Sequence, residues 1–314
     1  VTGAVNALRQ AVQVLPNRVT FRANLALFAD YAGDFATAEQ EILSMQSPDA
    51  HGIAALALSQ LGQGRLMESA ETYAKLGTMD AWGTSFAASG LGDLALYEGR
   101  FSDAVRIFEQ GAEADLRAKN VDSAAMKLAS VAYVRVMQGQ MAAAIAAGEK
   151  ALSSSQAVPI RFLTARMLIE AGAVAKATSL AKGLASELAA EPQAYGKILE
   201  GEIALKKGDA AQAIKILTDA KRVLDTWLGH YDLGRAYLEL GRFLQADSEF
   251  DLCVKRRGEA LSLLDEDPTY GYFPPVYYYR GRAREGLKTA SFAESYSEYL
   301  KIRGKSTEDP LLPD

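Results

Sequence analysis

Leu233-Gly234-Arg235-Ala236-Tyr237-Leu238-Glu239-Leu240-Gly241-Arg242-Phe243-Leu244-Gln245-Ala246 reads as the end of one helix, a glycine turn and the start of a second helix. Gly241 anchors the pattern. Counterparts stand at Gly33, Gly64, Gly99, Gly139, Gly172 and Gly208, at successive steps of 31, 35, 40, 33, 36 and 33 residues up to Gly241. Seven positions before each anchor is a small residue: Ala26, Ala57, Gly92, Ala132, Ala165, Gly201 and Gly234. Five positions after is another: Ala38, Ser69, Ala104, Ala144, Ala177, Ala213 and Ala246. A fixed period of this size marks a repeat array. The glycine ends the first helix by entering the left-handed region, which other residues reach only at a cost. The small residues let neighbouring helices approach closely.

Larger groups complete the unit. An apolar or aromatic plug follows two residues after most anchors: Phe35, Leu66, Phe101, Met141, Val174 and Phe243. A wedge follows nine after in five copies: Ile42, Tyr73, Phe108, Leu217 and Phe250. Gly148 and Ala181 take that place in copies four and five, so those pairs should pack at a different distance.

This small-and-large spacing around a helical hairpin of about 34 residues resembles the tetratricopeptide repeat. Leu233-Gly234-Arg235-Ala236-Tyr237 with Gly241, Phe243, Ala246 and Phe250 carries the likeness best, followed by Leu91-Gly92-Asp93 with Gly99, Phe101, Ala104 and Phe108. The resemblance implies an all-α, right-handed superhelical α-solenoid of antiparallel helix pairs. It would hold about seven full repeats, a divergent eighth and an N-terminal half repeat. A narrower likeness runs from Leu224 through Pro274-Pro275-Val276-Tyr277-Tyr278-Tyr279 to Asp309-Pro310-Leu311-Leu312. It is to the tetratricopeptide regions of large bacterial signalling proteins, some of which carry a kinase or DNA-binding domain upstream.

The 314 residues are 49% hydrophobic and 23% charged, ample for a core but long for one compact domain. An array escapes that limit, because each repeat touches only its neighbours. Only 9 Pro and 26 Gly are present, the latter mostly at turns, which favours helix throughout. The net charge is −5 and the pI about 5.3. That balance disfavours nucleic acid, whose phosphates need a basic face. One cysteine, Cys253, excludes an internal disulfide framework. No signal peptide and no apolar run of about 18 residues is present, so no membrane span is expected and a cytoplasmic location is.

The expected organisation is one solenoid over 1–304. Residues 1–17 form a half repeat whose partner helix is missing, which suggests a piece of a longer polypeptide or a removed leader. Seven pairs follow over 18–264, the last with a second helix at 242–264. A Pro- and Tyr-rich loop spans 265–275, a divergent repeat 276–304, and a loose tail 305–314.

Chemistry is sparse. His51 and His230 lie in different repeats without partners at metal spacing, and Cys253 falls where the repeat wants a small buried group. No catalytic residue, metal site or cofactor is expected. A helical-barrel enzyme acting on polysaccharide would need paired carboxylates at one end of the helices, and the acids here are scattered. Tyr270, Tyr272, Phe273, Tyr277, Tyr278 and Tyr279 read as a lid on the end of the array, or as a peptide-capturing cluster.

Function should lie on the face lined by the first helices. Positions six and ten before each anchor share that face. They supply Asp93, Tyr133, Phe162, Arg166, Glu202, Tyr231 and Arg235, and the divergent repeat adds Tyr278 and Arg282. Tyr195 joins them as a candidate partner-binding residue. Arg166, Arg235 and Arg282 either hold a partner's carboxylate or pair with Glu170, Glu202 and Glu239. The Asn residues by which some tetratricopeptide proteins clamp a chaperone C-terminus are missing from the six-before positions. The reading that follows is a non-enzymatic scaffold binding a peptide or helix of a protein partner. The alternative is a regulatory or sensory segment of a larger bacterial signalling protein.

Overall fold

The computed structural model describes residues 1–264 and 267–312. Seventeen α-helices hold 230 of these 310 residues, and among the described residues the only β feature is an isolated bridge between Leu264 and Asp267. All seven anchor glycines have positive φ, from 66° at Gly241 to 86° at Gly172. At each one, the next residue donates its N–H to a carbonyl five positions back in the preceding helix. Arg242 N thus reaches Tyr237 O at 2.9 Å, and Ala173 N reaches Leu168 O at 2.8 Å. This bond satisfies a carbonyl that the helix end would otherwise leave bare. Lys288, at φ 56°, makes the same turn in the divergent repeat, with Thr289 N donating to Arg284 O.

The chain divides into two compact units, residues 1–94 with 256–273, and residues 95–255 with 274–314. Each is a stack of helix pairs, the architecture of an α-solenoid.

In the first unit, α1 (Thr2–Val14) packs on α2 (Val19–Tyr31) through Val5, Val12 and Leu25. Then α2 and α3 (Phe35–Leu43) close on α4 (Ala50–Gly62) through Ala26, Ala29, Ala38, Ile42 and Ala55. Next, α5 (Leu66–Leu76) sends Tyr73 and Leu76 among Ile53, Ala57, Phe86 and Ala87, the last two on α6 (Ala81–Tyr97). One departure from expectation is the segment 256–273. The second helix of the seventh pair stops at Lys255, and the chain continues as a 3-10 turn over Arg257–Leu261. The reason is a contact only glycine permits. A Cβ on Gly258 would sit 2.3 Å from Asp30 O and 2.5 Å from Gly33 N. Arg257 lies over the Phe35 ring at 5.2 Å. Tyr270, Tyr272 and Phe273 are buried, Tyr270 and Phe273 stack at 5.0 Å, and Gly271 N donates to Asp93 Oδ1 at 2.8 Å. These aromatics are therefore core of the first unit, whereas Tyr277, Tyr278 and Tyr279 belong to a helix of the second. Asp265 and Glu266 of the expected loop lie outside the described residues.

The second unit alternates first helices, α8 (Val121–Met137), α10 (Val158–Glu170), α12 (Ala190–Lys206), α14 (Trp227–Glu239) and α16 (Pro275–Gly286), with second helices. The latter are α7 (Phe101–Arg117), α9 (Met141–Ser154), α11 (Val174–Ala185), α13 (Ala210–Val223), α15 (Phe243–Lys255) and α17 (Phe292–Arg303). Small positions receive wedges as the repeat rule requires. A Cβ added at Gly234 would lie 2.6 Å from the Phe250 ring. Where copy four lacks its wedge, Gly148 is approached by Thr164 of α10, 2.9 Å from an added Cβ. Lys127 and Asp115 form a buried ion pair at 2.7 Å between α8 and α7.

The tail differs from expectation. Arg303, fully buried, donates to Tyr97 O at 3.1 Å and Leu96 O at 3.0 Å, pairs with Asp309 at 3.1 Å, and lies over the Phe101 ring. Ser306 Oγ donates to Gly99 O at 2.6 Å, and Glu308 accepts from Ser102 N at 2.7 Å at the start of α7. Residues 305–309 are thus held, because a buried guanidinium and open helix ends need their partners. Pro313 and Asp314 lie outside the described residues.

Candidate binding face of the second unit

The helical period places Phe162 and Arg166 one turn apart on α10, Tyr195 and Glu202 two turns apart on α12, Tyr231 and Arg235 one turn apart on α14, and Tyr278 and Arg282 one turn apart on α16. The fold brings the first six of these into one network. Phe162 is fully buried and stacks on Tyr195 at 4.2 Å, with the Arg166 guanidinium 5.6 Å from its centre. Arg166 is itself buried. It donates through both terminal nitrogens to Asp232, at 2.7 and 3.2 Å, and pairs with Glu202 at 3.0 Å. Arg235 takes the outer layer, 3.2 Å from Glu170, 3.6 Å from Asp232 and 3.9 Å from Glu202. Its guanidinium lies over Tyr231 at 5.8 Å and Tyr279 at 6.0 Å. Lys206 pairs with Glu170 at 3.0 Å.

Electrostatics follow from this packing. Burial makes charge costly, but Asp232 and Glu202 more than compensate at Arg166, whose pKa rises above its ordinary value. Glu202 is pushed up to about 8, chiefly by burial and further by Asp232, against the pull of Arg166 and Arg235. Glu170 experiences burial too, yet Arg235 and Lys206 hold it below its ordinary value. Burial raises the Tyr231 hydroxyl.

The other candidates sit apart from this network. Tyr278 is buried and receives a 3.2 Å hydrogen bond from exposed Arg282; it reaches the network through Tyr279, 5.3 Å away edge to face. Tyr133 on α8 has its hydroxyl raised to about 12 by burial, with Arg303 and Arg166 opposing. Asp93 belongs to the first unit, where Gly271 occupies it. Five members fall outside the six-and-ten rule: Tyr195, Glu170, Lys206, Asp232 and Tyr279. Asp232 is fully buried. Its signal was an acid in the otherwise uncharged run Leu228-Gly229-His230-Tyr231-Asp232-Leu233, three positions before Arg235.

A cavity of about 290 Å³ opens on the network, lined by Glu170, Glu202, Leu205, Lys206, Arg235, Leu238, Glu239 and Tyr279. Glu202, one of the lining residues, keeps its Oε2 buried without a hydrogen-bond partner. Glu239 is exposed and makes no ion pair among the described residues. Elsewhere, His51 stacks on Trp82 at 4.1 Å, and His230 is buried between Asp225 and Glu249. Cys253 is buried, with its carbonyl accepting from the Trp227 indole at 2.9 Å. Among the described residues, no three His, Cys, Asp or Glu side chains are grouped to hold a metal, and no helix is long and apolar enough to cross a membrane.

A family model described as tetratricopeptide repeat matches residues 229–259, the stretch running from the third residue of α14 through the Gly241 turn and α15. No curated protein matches the chain in sequence. Among solved structures, a tetratricopeptide repeat protein from Parabacteroides merdae is 13% identical, with TM-score 0.51, covering 83% of this chain and 98% of its own. The APC/C hetero-tetramer Cut9–Hcn1 is 14% identical at TM-score 0.40, over 98% of this chain; the chain spans 51% of its length. The human IFIT1 dimer with m7Gppp-AAAA is 14% identical at TM-score 0.49, over 94% of this chain and 70% of its own. Identities this low speak to fold alone, and that fold is generally non-catalytic and typical of protein-interaction scaffolds. The seven glycine-hinged helix pairs and the shared fold carry along the chain the helix–turn–helix design that the tetratricopeptide-repeat family model matches over residues 229–259.

Proposed function

We propose that the chain is a non-enzymatic scaffold whose second unit binds a peptide or helix of a protein partner on the face formed by α10, α12, α14 and α16. One observation carries this reading: Phe162, Arg166, Tyr195, Glu202, Tyr231 and Arg235 lie side by side on successive first helices, and two of them, Glu202 and Arg235, line a cavity that opens outward. Tyr and Arg are enriched where binding energy concentrates. The internal pairing of Arg166 and Arg235 fixes these groups in place, so little ordering is needed on binding. Arg282 and Tyr278 extend the face along α16. Net charge and an acid-rich cavity favour a polypeptide over nucleic acid. The alternative role, as a regulatory segment of a bacterial signalling protein, uses the same face with the partner in cis.

The test is crosslinking and affinity capture with wild type, Arg235→Ala/Tyr231→Ala and the exposed reversal Glu239→Arg. The double variant and the reversal should lose the same partners. Identical partners for all three proteins exclude this face.

A further inference from the structure

We propose that the cavity between α10, α12, α14 and α16 is a subsite for a cationic side chain, the guanidinium or ammonium group of a basic residue in a bound peptide. This rests on the peptide-binding reading above and adds the chemistry of what is bound.

The sign of the site decides it. Three carboxylates and two cations line the cavity: Glu170, Glu202 and Glu239 against Lys206 and Arg235. Both cations are already engaged with Glu170, at 3.0 and 3.2 Å. An incoming carboxylate would have to break those pairs and then face three acids. An incoming cation meets acceptors that have nothing to hold. Glu202 is 4% exposed, and its Oε1 faces Arg166 at 3.0 Å while Oε2 has no partner. Glu239 stands at the rim with no ion pair among the described residues. A buried acceptor left open is costly unless something supplies the donor. Behind Glu202, Arg166 is committed to Asp232 at 2.7 Å and cannot turn to fill the gap.

Size and lining agree. Small-molecule sites run from about 300 Å³ upward, so about 290 Å³ suits one long side chain. Leu205 and Leu238 supply apolar wall for its methylene stem. Tyr279 adds a ring.

The site also predicts a pH dependence. The groups facing Glu202 are Arg166 and Glu170 from α10, Lys206 from its own helix, Asp232 and Arg235 from α14, and Tyr279 from α16. A cation is held better by ionised Glu202, so affinity should rise between pH 6 and 9, as that carboxyl passes about 8. Arginine stays charged across this range.

The probes are N-acetyl-arginine amide and N-acetyl-lysine amide, with N-acetyl-citrulline amide as the neutral isostere of the first and N-acetyl-glutamate amide as the anion. They are titrated into the full chain by NMR at low salt. A saturable response to one or both basic amides is expected, with citrulline and glutamate at least about tenfold weaker. A response to the arginine amide alone assigns a guanidinium, and to the lysine amide alone an ammonium. Glu202→Gln should weaken binding about tenfold and remove its pH dependence. Glu239→Gln, at an exposed position that folding does not need, should weaken it severalfold. Equal binding of citrulline, tighter binding of glutamate, or no saturable binding of either basic amide overturns the proposal.

A displayed random-peptide library panned against the same protein separates this proposal from the one beneath it. Binders without enriched Arg or Lys, bound equally by Glu202→Gln, keep the peptide reading and overturn the cation subsite. Bound amides with no peptides recovered keep the subsite and overturn the peptide reading.

Discussion

Arg166 and Asp232 are 66 residues apart and meet through both guanidinium Nη atoms, at 2.7 and 3.2 Å. The pair runs from α10 to α14, past the intervening α12, whose Glu202 takes the remaining share of the charge at 3.0 Å. A repeat protein mostly couples neighbours; this contact couples next-nearest pairs. Asp232→Ala should therefore cost about 3–5 kcal/mol, since it strands a buried charge. Replacing both partners, as in Arg166→Met/Asp232→Leu, should recover much of that. Urea unfolding of the two singles and the double gives the coupling, and additive losses would show that the pair is not a unit.

Glu202 makes stability pH-dependent. Its carboxyl rises from an ordinary 4.5 to about 8 on folding, mainly through burial. A group raised in the folded state contributes stability in full below its ordinary value and loses it as pH climbs through the raised one. The melting temperature should thus fall between about pH 4.5 and 8 by an amount that Glu202→Gln removes. Asp30 adds a second contribution of the same sign in the first unit. Its carboxyl is fully buried, raised by burial despite the 2.8 Å bond from Ser59, and its Oδ2 has no partner. Asp30→Asn keeps the acceptor for Ser59 and should stabilise the protein at neutral pH. A flat pH profile in wild type contradicts both assignments.

The repeat rule itself is open to measurement at two glycines. Gly172 has φ 86° with open space around its missing Cβ, so Gly172→Ala isolates backbone strain, about 1–2 kcal/mol. Gly234 sits in a helix against Phe250, so Gly234→Ala tests crowding, about 1–3 kcal/mol. Gly234→Ala combined with Phe250→Leu should cost less than the sum, whereas a second change beside Gly172→Ala should simply add. Equilibrium unfolding of Gly172→Ala, Gly234→Ala, Phe250→Leu and the doubles Gly234→Ala/Phe250→Leu and Gly172→Ala/Phe250→Leu decides.

Arg303 holds the tail. Arg303→Ala removes donors to Leu96 and Tyr97 carbonyls and leaves Asp309 buried without its cation. The expected cost is about 3–5 kcal/mol. Faster amide exchange should appear at residues 303–312 and at 96–102, where Ser306 and Glu308 dock. Faster exchange confined to the tail would mean that the docking does not stabilise α6 and α7.

Local chemistry determined the hairpins. Each anchor glycine was legible because a left-handed residue at a helix end is a single-residue requirement, and the plug, wedge and small positions follow from the helical period. Five members of the binding face, Phe162, Arg166, Glu202, Tyr231 and Arg235, were legible for the same reason. Whether Arg166 and Arg235 would hold a partner or each other's neighbours was not legible. The answer depends on Asp232 and Glu170 reaching them from other repeats, across separations of 65 and 66 residues. The break at Lys255 depended on Gly258 packing directly on the backbone of Asp30 and Gly33, more than two hundred residues earlier, and the tail's order on Arg303 reaching the carbonyls of Leu96 and Tyr97. Periodicity specifies contacts within a repeat and with the next one. Contacts that skip repeats, and segments that fold back onto distant ones, leave no periodic trace; only the packed structure sets them.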